Sequence, residues 1–392
     1  MDEKYLGVSV PELTKNGAIY TAQEIAAQPA IWLKVFNTVK AKSKEIEMFV
    51  DKVLKSDEYA EVILTGAGTS AFIGEVLQDI FNKYSNFNTR AIATTSIVTH
   101  PHYYFRKNKT TLLVSFARSG NSPESIKTVE LANQLCSKIF HLIITCNPEG
   151  ELAKSSASSN TYMLLMPAEA NDKSLAMTGS FTSMLLSGLL IARLSEIESL
   201  ESEVELLSNY ARKLLDGFVS DFRILSRLDF KRAVFLGSGI FEGIAHESHL
   251  KLQELTDGNV ICKYDSFMGF RHGPKAVLNK ETLIVYLFSN NEYVNKYESD
   301  LVNSVSESGI VLSSIGVMEQ KIANIKLDNE VCFGSDILKI DETFLTVVEV
   351  LPAQLLGFFK SLNLGLTPDS PSLSGTISRV VEGVKTYSYI RH

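Results

Sequence analysis

The stretch TLLVSFARSGNSPESIKTVELANQ, Thr111 to Gln134, decides the fold. Leu112, Leu113, Val114 and Phe116 form the short apolar run that a parallel strand covered on both faces requires. A helix follows at once. Ser119, Gly120, Asn121 and Ser122 are small polar capping residues, Pro123 suits a first helical turn, and Ile126, Val129 and Leu131 follow a helical apolar stripe. Free backbone N–H groups, a positive dipole end and hydroxyl donors together suit an anion, and Arg118 adds a formal charge beside them. Taken alone, the same residues read equally as a plain helix cap.

Working outward, the pattern recurs. AEVILTGAGTSAFIGEVLQDIF, Ala60 to Phe81, gives a strand at Val62–Leu64, a tight turn at Gly66 and Gly68, and a helix from Thr69. Its Gly66-Ala67-Gly68-Thr69-Ser70-Ala71 satisfies GxGxxA, yet Asn88 to Ser96 carries no acidic residue to hold a ribose, which argues against nicotinamide or flavin. Ala91–Thr94 reads as a strand, Thr99–Phe105 as an aromatic loop, His141–Lys154 as strand, turn and helix, and Thr161–Ala168 as a strand. Strands alternating with helices at this spacing specify an α/β protein with a doubly wound parallel sheet, whose ligands sit at the carboxyl ends of the strands.

KRAVFLGSGIFEGIAHE, Lys231 to Glu247, echoes Tyr59 to Glu75 and implies a second sheet, with strands at Thr282–Phe288 and Gly309–Ile315 and a late helix at Val347–Phe359. Ahead of the first sheet, Thr21 caps a helical arm with Gln28-Pro29 as a break or kink inside it. The reading gives an arm at 1–45, a first domain at 46–200, a second at 215–365 and a tail at 366–392.

With 392 residues, 45% hydrophobic, 21% charged and a net charge of −7, the chain has a globular composition and no basic face for nucleic acid. Four scattered cysteines without a CxxC pair fit reduced thiols and no zinc site. No leader is expected, and no apolar run is expected to reach the roughly 18 residues that span a bilayer, so the reading is cytoplasmic and without a membrane.

Two stretches of the second half carry chemistry. On HESHLKLQELTDG, His246 to Gly258, helical spacing puts Glu247, Leu250, Lys251 and Glu254 on one face. HExxH would need a histidine where Leu250 stands, so this is not a zinc-protease helix. In YDSFMGFRHGPKAVL, Tyr264 to Leu278, His272 lies on an irregular loop and reads either as an acid or base near neutral pH or as a cap of the next helix.

GAGTS, SFARSGNSPES, ESHLKLQEL and GFRHGP, in this order over nearly the whole chain, resemble the sugar isomerase (SIS) domain family, and within it the group of tagatose-6-phosphate ketose/aldose isomerases and galactosamine-6-phosphate deaminases. The resemblance implies two tandem three-layer α-β-α domains with no cofactor. It further implies a sugar 6-phosphate substrate held by Ser119 and Ser122, with Arg118 beside them, and by Gly68, Thr69, Ser70 and Thr178. Glu254 would move the proton between C2 and C1, and His272 would open the sugar ring, reaching across a homodimer or homotetramer. Two departures stand out. Related synthases have Ser and Gln where this chain has Ala117 and Arg118, and a tail lysine where the nearest basic residues here are Arg379 and Lys385. The implied reaction turns galactosamine 6-phosphate into tagatose 6-phosphate and ammonia. The alternatives are a simple isomerase that keeps no nitrogen chemistry and a sugar-phosphate sensor without turnover.

Overall fold

Two sheets of five parallel strands, each flanked by helices, are built from one order of elements. The structure is a computed structural model that describes residues 3–390 except 58, 86, 155–157, 336 and 382. It divides into two compact units, and neither is a continuous stretch of chain. One, around the first sheet, takes residues 31–171, 179–201 and 377–392; the other, around the second sheet, takes 1–30, 172–178 and 202–376.

In the first unit the strands are β1 (Glu61–Thr65), β2 (Asn88–Ala91), β3 (Thr111–Ala117), β4 (Ile139–Thr145) and β5 (Thr161–Leu165). They pair in the order β2-β1-β3-β4-β5. The two central strands, β1 and β3, are buried at every position, which explains their unbroken apolar runs. The helix α1 (Ile19–Ala41) continues through Pro29, so the expected break or kink is not a break. Proline deprives the carbonyl of Ile25 of its helical donor, and the Gln28 side chain supplies one instead at 3.3 Å. Beyond Pro29, Trp32 is fully buried and donates to Thr182 Oγ1 at 3.0 Å.

After β1 comes α2 (Thr69–Tyr84), and after β3 comes α3 (Pro123–Leu135). The helix α4 (Gly179–Ala192) is buried along its whole length. It packs on α2 because Gly188 lacks a side chain: a Cβ there would lie 2.3 Å from Leu77 Cδ1. Two expectations fail nearby. β2 ends at Ala91 rather than Thr94, and the aromatic stretch forms two short helices, Thr94–Thr99 and Pro101–Tyr104, divided by Pro101 as a helix-starting residue.

The second unit repeats the layout with β6 (Arg232–Gly237), β7 (Ile261–Asp265), β8 (Thr282–Leu287), β9 (Ser313–Met318) and β10 (Asn329–Cys332), ordered β7-β6-β8-β9-β10. Its helices include α5 (Val219–Leu225), α6 (Ile240–Leu255), α7 (Glu292–Ser308), α8 (Glu342–Val348) and α9 (Leu351–Asn363). The third predicted strand begins at Ser313 rather than Gly309, because Gly309 ends α7 in a left-handed conformation at φ 57°. The late helix is two helices, since Pro352 starts α9 afresh. Together Glu342–Asn363 is long and apolar enough to cross a membrane by length and composition, at mean hydropathy 1.4, which corrects the expectation that no run reaches that length. The window is 94% buried inside the protein, as a core helix pair would be.

At the carboxyl ends of the second sheet, burial has collected acids. Glu298 accepts from Asn295, Glu342 from Ser289, and Glu319 from Tyr210, Asn290 and the N–H of Ile340. Glu349 is fully buried, and neither of its oxygens has a hydrogen-bond partner among the described residues. Loss of water, with Glu298, Glu319 and Glu342 nearby, holds the Glu349 carboxyl well above its ordinary range, and burial raises Glu298 from 4.5 to about 7. Between those two values the folded chain keeps protons that the unfolded chain has shed, so stability falls as pH rises through this window. Glu349→Gln removes an acid that cannot ionise favourably. Thermal melts from about pH 5 to 8 are expected to show a flatter pH dependence in this variant and a melting temperature a few degrees higher at the alkaline end. Unchanged slopes would show that Glu349 does not carry the effect.

Candidate active site

The order β2-β1-β3-β4-β5 reverses direction between β1 and β3, and it is there that ligands bind in open α/β sheets. The two strands pair directly, with Thr65 opposite Ser115. Their carboxyl ends therefore set the turn Gly66–Ser70 beside the turn Arg118–Ser122. The sequence placed these turns 50 residues apart, and the sheet makes them neighbours.

Each turn is shaped by glycine. Gly68 has φ +56°, and a Cβ on Gly66 would stand 2.5 Å from the backbone of Ser70. Thr69 and Ser70 follow in the first turn of α2 and are both buried. In the second turn Gly120 has φ +67°. Ser119 Oγ accepts from the Asn121 N–H at 3.2 Å, and the Ser119 carbonyl accepts from Asn147 at 2.8 Å. Gly150 comes so close that a Cβ there would meet the Ser119 carbonyl at 2.5 Å, which ties the turn to the loop after β4. Ser122 is the N-cap of α3, but its hydroxyl makes no cap hydrogen bond. Pro123 brings no N–H to the start of this thirteen-residue helix and the Ser125 N–H donates to the Ser122 carbonyl at 3.0 Å, so the Ser122 hydroxyl and the Glu124 N–H are what the helix start leaves to be satisfied.

Arg118 is buried, and its guanidinium donates to the carbonyl of Arg379. The tail residues 377–390 belong to this unit: Gln134 donates to the Tyr389 carbonyl at 3.0 Å, and the Arg379 guanidinium donates to Asn171 Oδ1 at 3.2 Å. Part of Arg118 is therefore committed to holding the tail rather than to an anion. That role went unseen because nothing in the sequence pairs a buried arginine with a distant carbonyl.

Thr178 is assigned to the other compact unit, that of the second sheet. It is fully buried and directs its N–H and hydroxyl at Asp172 at 2.8 and 3.2 Å. That places it as a structural bracket for the segment 172–178.

In the unit of the second sheet, α6 carries the acid. Glu254 lies near its end and accepts from Lys251 Nζ at 2.6 Å; Lys251 Nζ is also 3.4 Å from Glu247 Oε1. The Lys251 and Glu247 side chains are 1% and 0% exposed and Glu254 is 23% exposed, so the pair is buried at one end and open at the other. The surroundings of the acid are thus ion-paired rather than apolar. Helical spacing identified the face, but the burial that makes the lysine matter comes from packing alone.

His272 stands on a turn anchored by two fully buried phenylalanines, Phe267 and Phe270, whose short helix is capped by Ser266. Its N–H donates to the Gly269 carbonyl at 3.0 Å, and the ring is exposed with no partner among the described residues. Gly273, not His272, caps the following turn, which removes the capping role. His246 stacks on Tyr264 with ring centroids 3.8 Å apart, with His249 beside it, and burial lowers His249 from 6.5 to about 4. Among the described residues no group of three or more His, Cys, Asp or Glu is placed to hold a metal.

Comparison with known proteins fits this geometry. The SIS domain family matches residues 58–194. A D-galactosamine-6-phosphate deaminase AgaS of Shewanella sp. (strain ANA-3) is 37% identical over 394 residues, covering 100% of this chain and 97% of the relative. A solved structure from Clostridium novyi NT is 40% identical with a TM-score of 0.96, covering 99% of this chain and 100% of the other. The solved structure of tagatose-6-phosphate ketose/aldose isomerase from Escherichia coli is 33% identical with a TM-score of 0.86, covering 95% and 97%. The chain belongs to the SIS family, in the group defined by its AgaS relatives.

Proposed function

We propose that this protein is a sugar-phosphate enzyme that converts galactosamine 6-phosphate to tagatose 6-phosphate and ammonia. The observation that carries the reading is the hydroxyl turn Ser119–Ser122, without a side-chain cap, at the reversal point of the first sheet, in a chain that matches a galactosamine-6-phosphate deaminase along its whole length. Ser119, Ser122 and the Glu124 N–H at the start of α3 take the phosphoryl oxygens, and Gly68, Thr69 and Ser70 on the adjoining strand end take the sugar. His272 transfers the proton that opens the hemiacetal. Its exposed ring suits a reach into a second copy of the chain in a homodimer or homotetramer.

Glu254 then removes the C2 proton, which the C1 carbonyl acidifies, and the electron pair passes into an enolamine. Protonation at C1 gives a ketimine at C2, and water adds to it to yield the ketose and ammonia. No electrons leave the sugar, so no oxidant is needed. The Lys251 ammonium holds the Glu254 carboxylate in place. We assign the reaction to the cytoplasm, where sugar phosphates are retained.

Incubating the purified chain with galactosamine 6-phosphate and assaying ammonia beside tagatose 6-phosphate tests this directly. Equal amounts of both are expected. Interconversion of nitrogen-free aldose and ketose 6-phosphates without ammonia would favour the simple isomerase that the E. coli neighbour's name describes, and binding without turnover would favour a sensor. A Ser119→Ala/Ser122→Ala variant is expected to raise KM at least about tenfold, the worth of one or two hydrogen bonds to a charged group, with a smaller change in kcat.

A further inference from the structure

A cavity of about 370 Å³ lies within the unit of the second sheet, where the N-terminal segment, α5 and the end of α9 meet. It is not at the strand ends. Lys15, Arg223 and Arg227 line it, and none of these three side chains has an ion-pair or hydrogen-bond partner among the described residues. Three unpartnered cations facing one hollow repel each other, and the single carboxylate on the lining, Glu12, does not balance them. The opposite wall is apolar, formed by Val8, Phe359 and Leu366.

We propose that this cavity binds the phosphoryl group of a small phosphorylated metabolite, as an effector site separate from the Ser119 turn. Guanidinium groups offer planar, paired donors that match phosphate oxygens, and the apolar wall takes the carbon portion of the ligand. The volume falls within the range of small-molecule sites. α9 links the cavity to the helix that carries Glu254. Gly357 of α9 packs so tightly on α6 that a Cβ there would lie 2.8 Å from Leu255 Cδ1 and 3.3 Å from the Lys251 carbonyl. A ligand at the end of α9 therefore bears on α6 without touching the substrate.

The test uses inorganic phosphate and glucose 6-phosphate, titrated calorimetrically into the full chain carrying Ser119→Ala and Ser122→Ala, so that binding at the substrate turn is suppressed. Binding is expected to persist there and to weaken about tenfold or more when Arg223→Gln and Arg227→Gln are added, the loss of one or two charge-assisted hydrogen bonds. Arg223→Lys with Arg227→Lys is expected to restore part of it. Lys15→Met gives an independent reading should the arginine variants fold poorly. Equal affinity with and without these cations, or no binding once the serine hydroxyls are gone, would overturn the proposal and leave the three residues as complements to the nearby helix ends. Ammonia release reports on the substrate reading separately, so either idea can fail alone.

Discussion

Glu254→Gln lowers kcat for ammonia release by about 10²- to 10⁴-fold, the usual worth of a positioned proton-transfer group, while galactosamine 6-phosphate still binds within a few-fold of its original affinity. The amide has nearly the shape of the acid and can still meet Lys251, so the ion-paired end of α6 keeps its packing. What it lacks is a lone pair basic enough to accept the C2 proton. The same loss should be seen in exchange of the C2 hydrogen with solvent, which isolates the proton step from hydrolysis of the ketimine. A variant with unaltered kcat and unaltered exchange would remove Glu254 as the base. A variant that melts many degrees lower would mean instead that the acid is structural, and thermal melts decide between the two.

Much of the fold was legible because buried central strands announce themselves. β1, β3, β6 and β8 are short apolar runs followed by glycine or hydroxyl turns, and each was found where the structure has it. The edge strands of the second sheet were not. β7, ICKYD, and β10, NEVC, are only partly buried and carry charged residues, so they lack both the continuous apolar run of a covered strand and a clean alternation. Missing β7 turned the whole segment before His272 into a loop, although it is a strand followed by a capped helical turn.

The site was legible to the extent that its members sit on turns with their own chemistry. Gly68, Thr69, Ser70, Ser119 and Ser122 could be named from local sequence, and the β1–β3 pairing unites them. Arg118, Thr178 and Lys251 show the limit. Each has an environment fixed by residues remote in sequence or by burial: a tail carbonyl for Arg118, a segment assigned to the other unit for Thr178, and a dry helix face for Lys251. A guanidinium or ammonium reads the same in a string of letters whether it faces water, a phosphate or a buried acid.

Lys251→Met destabilises the protein by about 3–5 kcal/mol, the usual result of removing one partner from a buried ion pair. The methionine fills much of the same volume, so the cost is electrostatic. Glu247 is left with a fully buried carboxyl from which the cation 3.4 Å away has been taken, and Glu254 loses its 2.6 Å donor. Roughly 2–4 °C of melting temperature accompanies each kcal/mol in a domain of this size, so the shift should be plain in a thermal melt. Its sign with pH is fixed by linkage. Without the ammonium, Glu247 folds most easily as the neutral acid, its folded pKa rises above the unfolded value, and the variant should regain stability as pH falls from about 7 towards 5. Adding Glu247→Gln to Lys251→Met should recover a large part of the loss at neutral pH, because the stranded charge is gone. Were Lys251→Met to cost less than about 1 kcal/mol, or its penalty to be indifferent to pH and to Glu247→Gln, the ion pairing of Lys251 would contribute nothing net and the buried end of α6 would have to be held by packing alone.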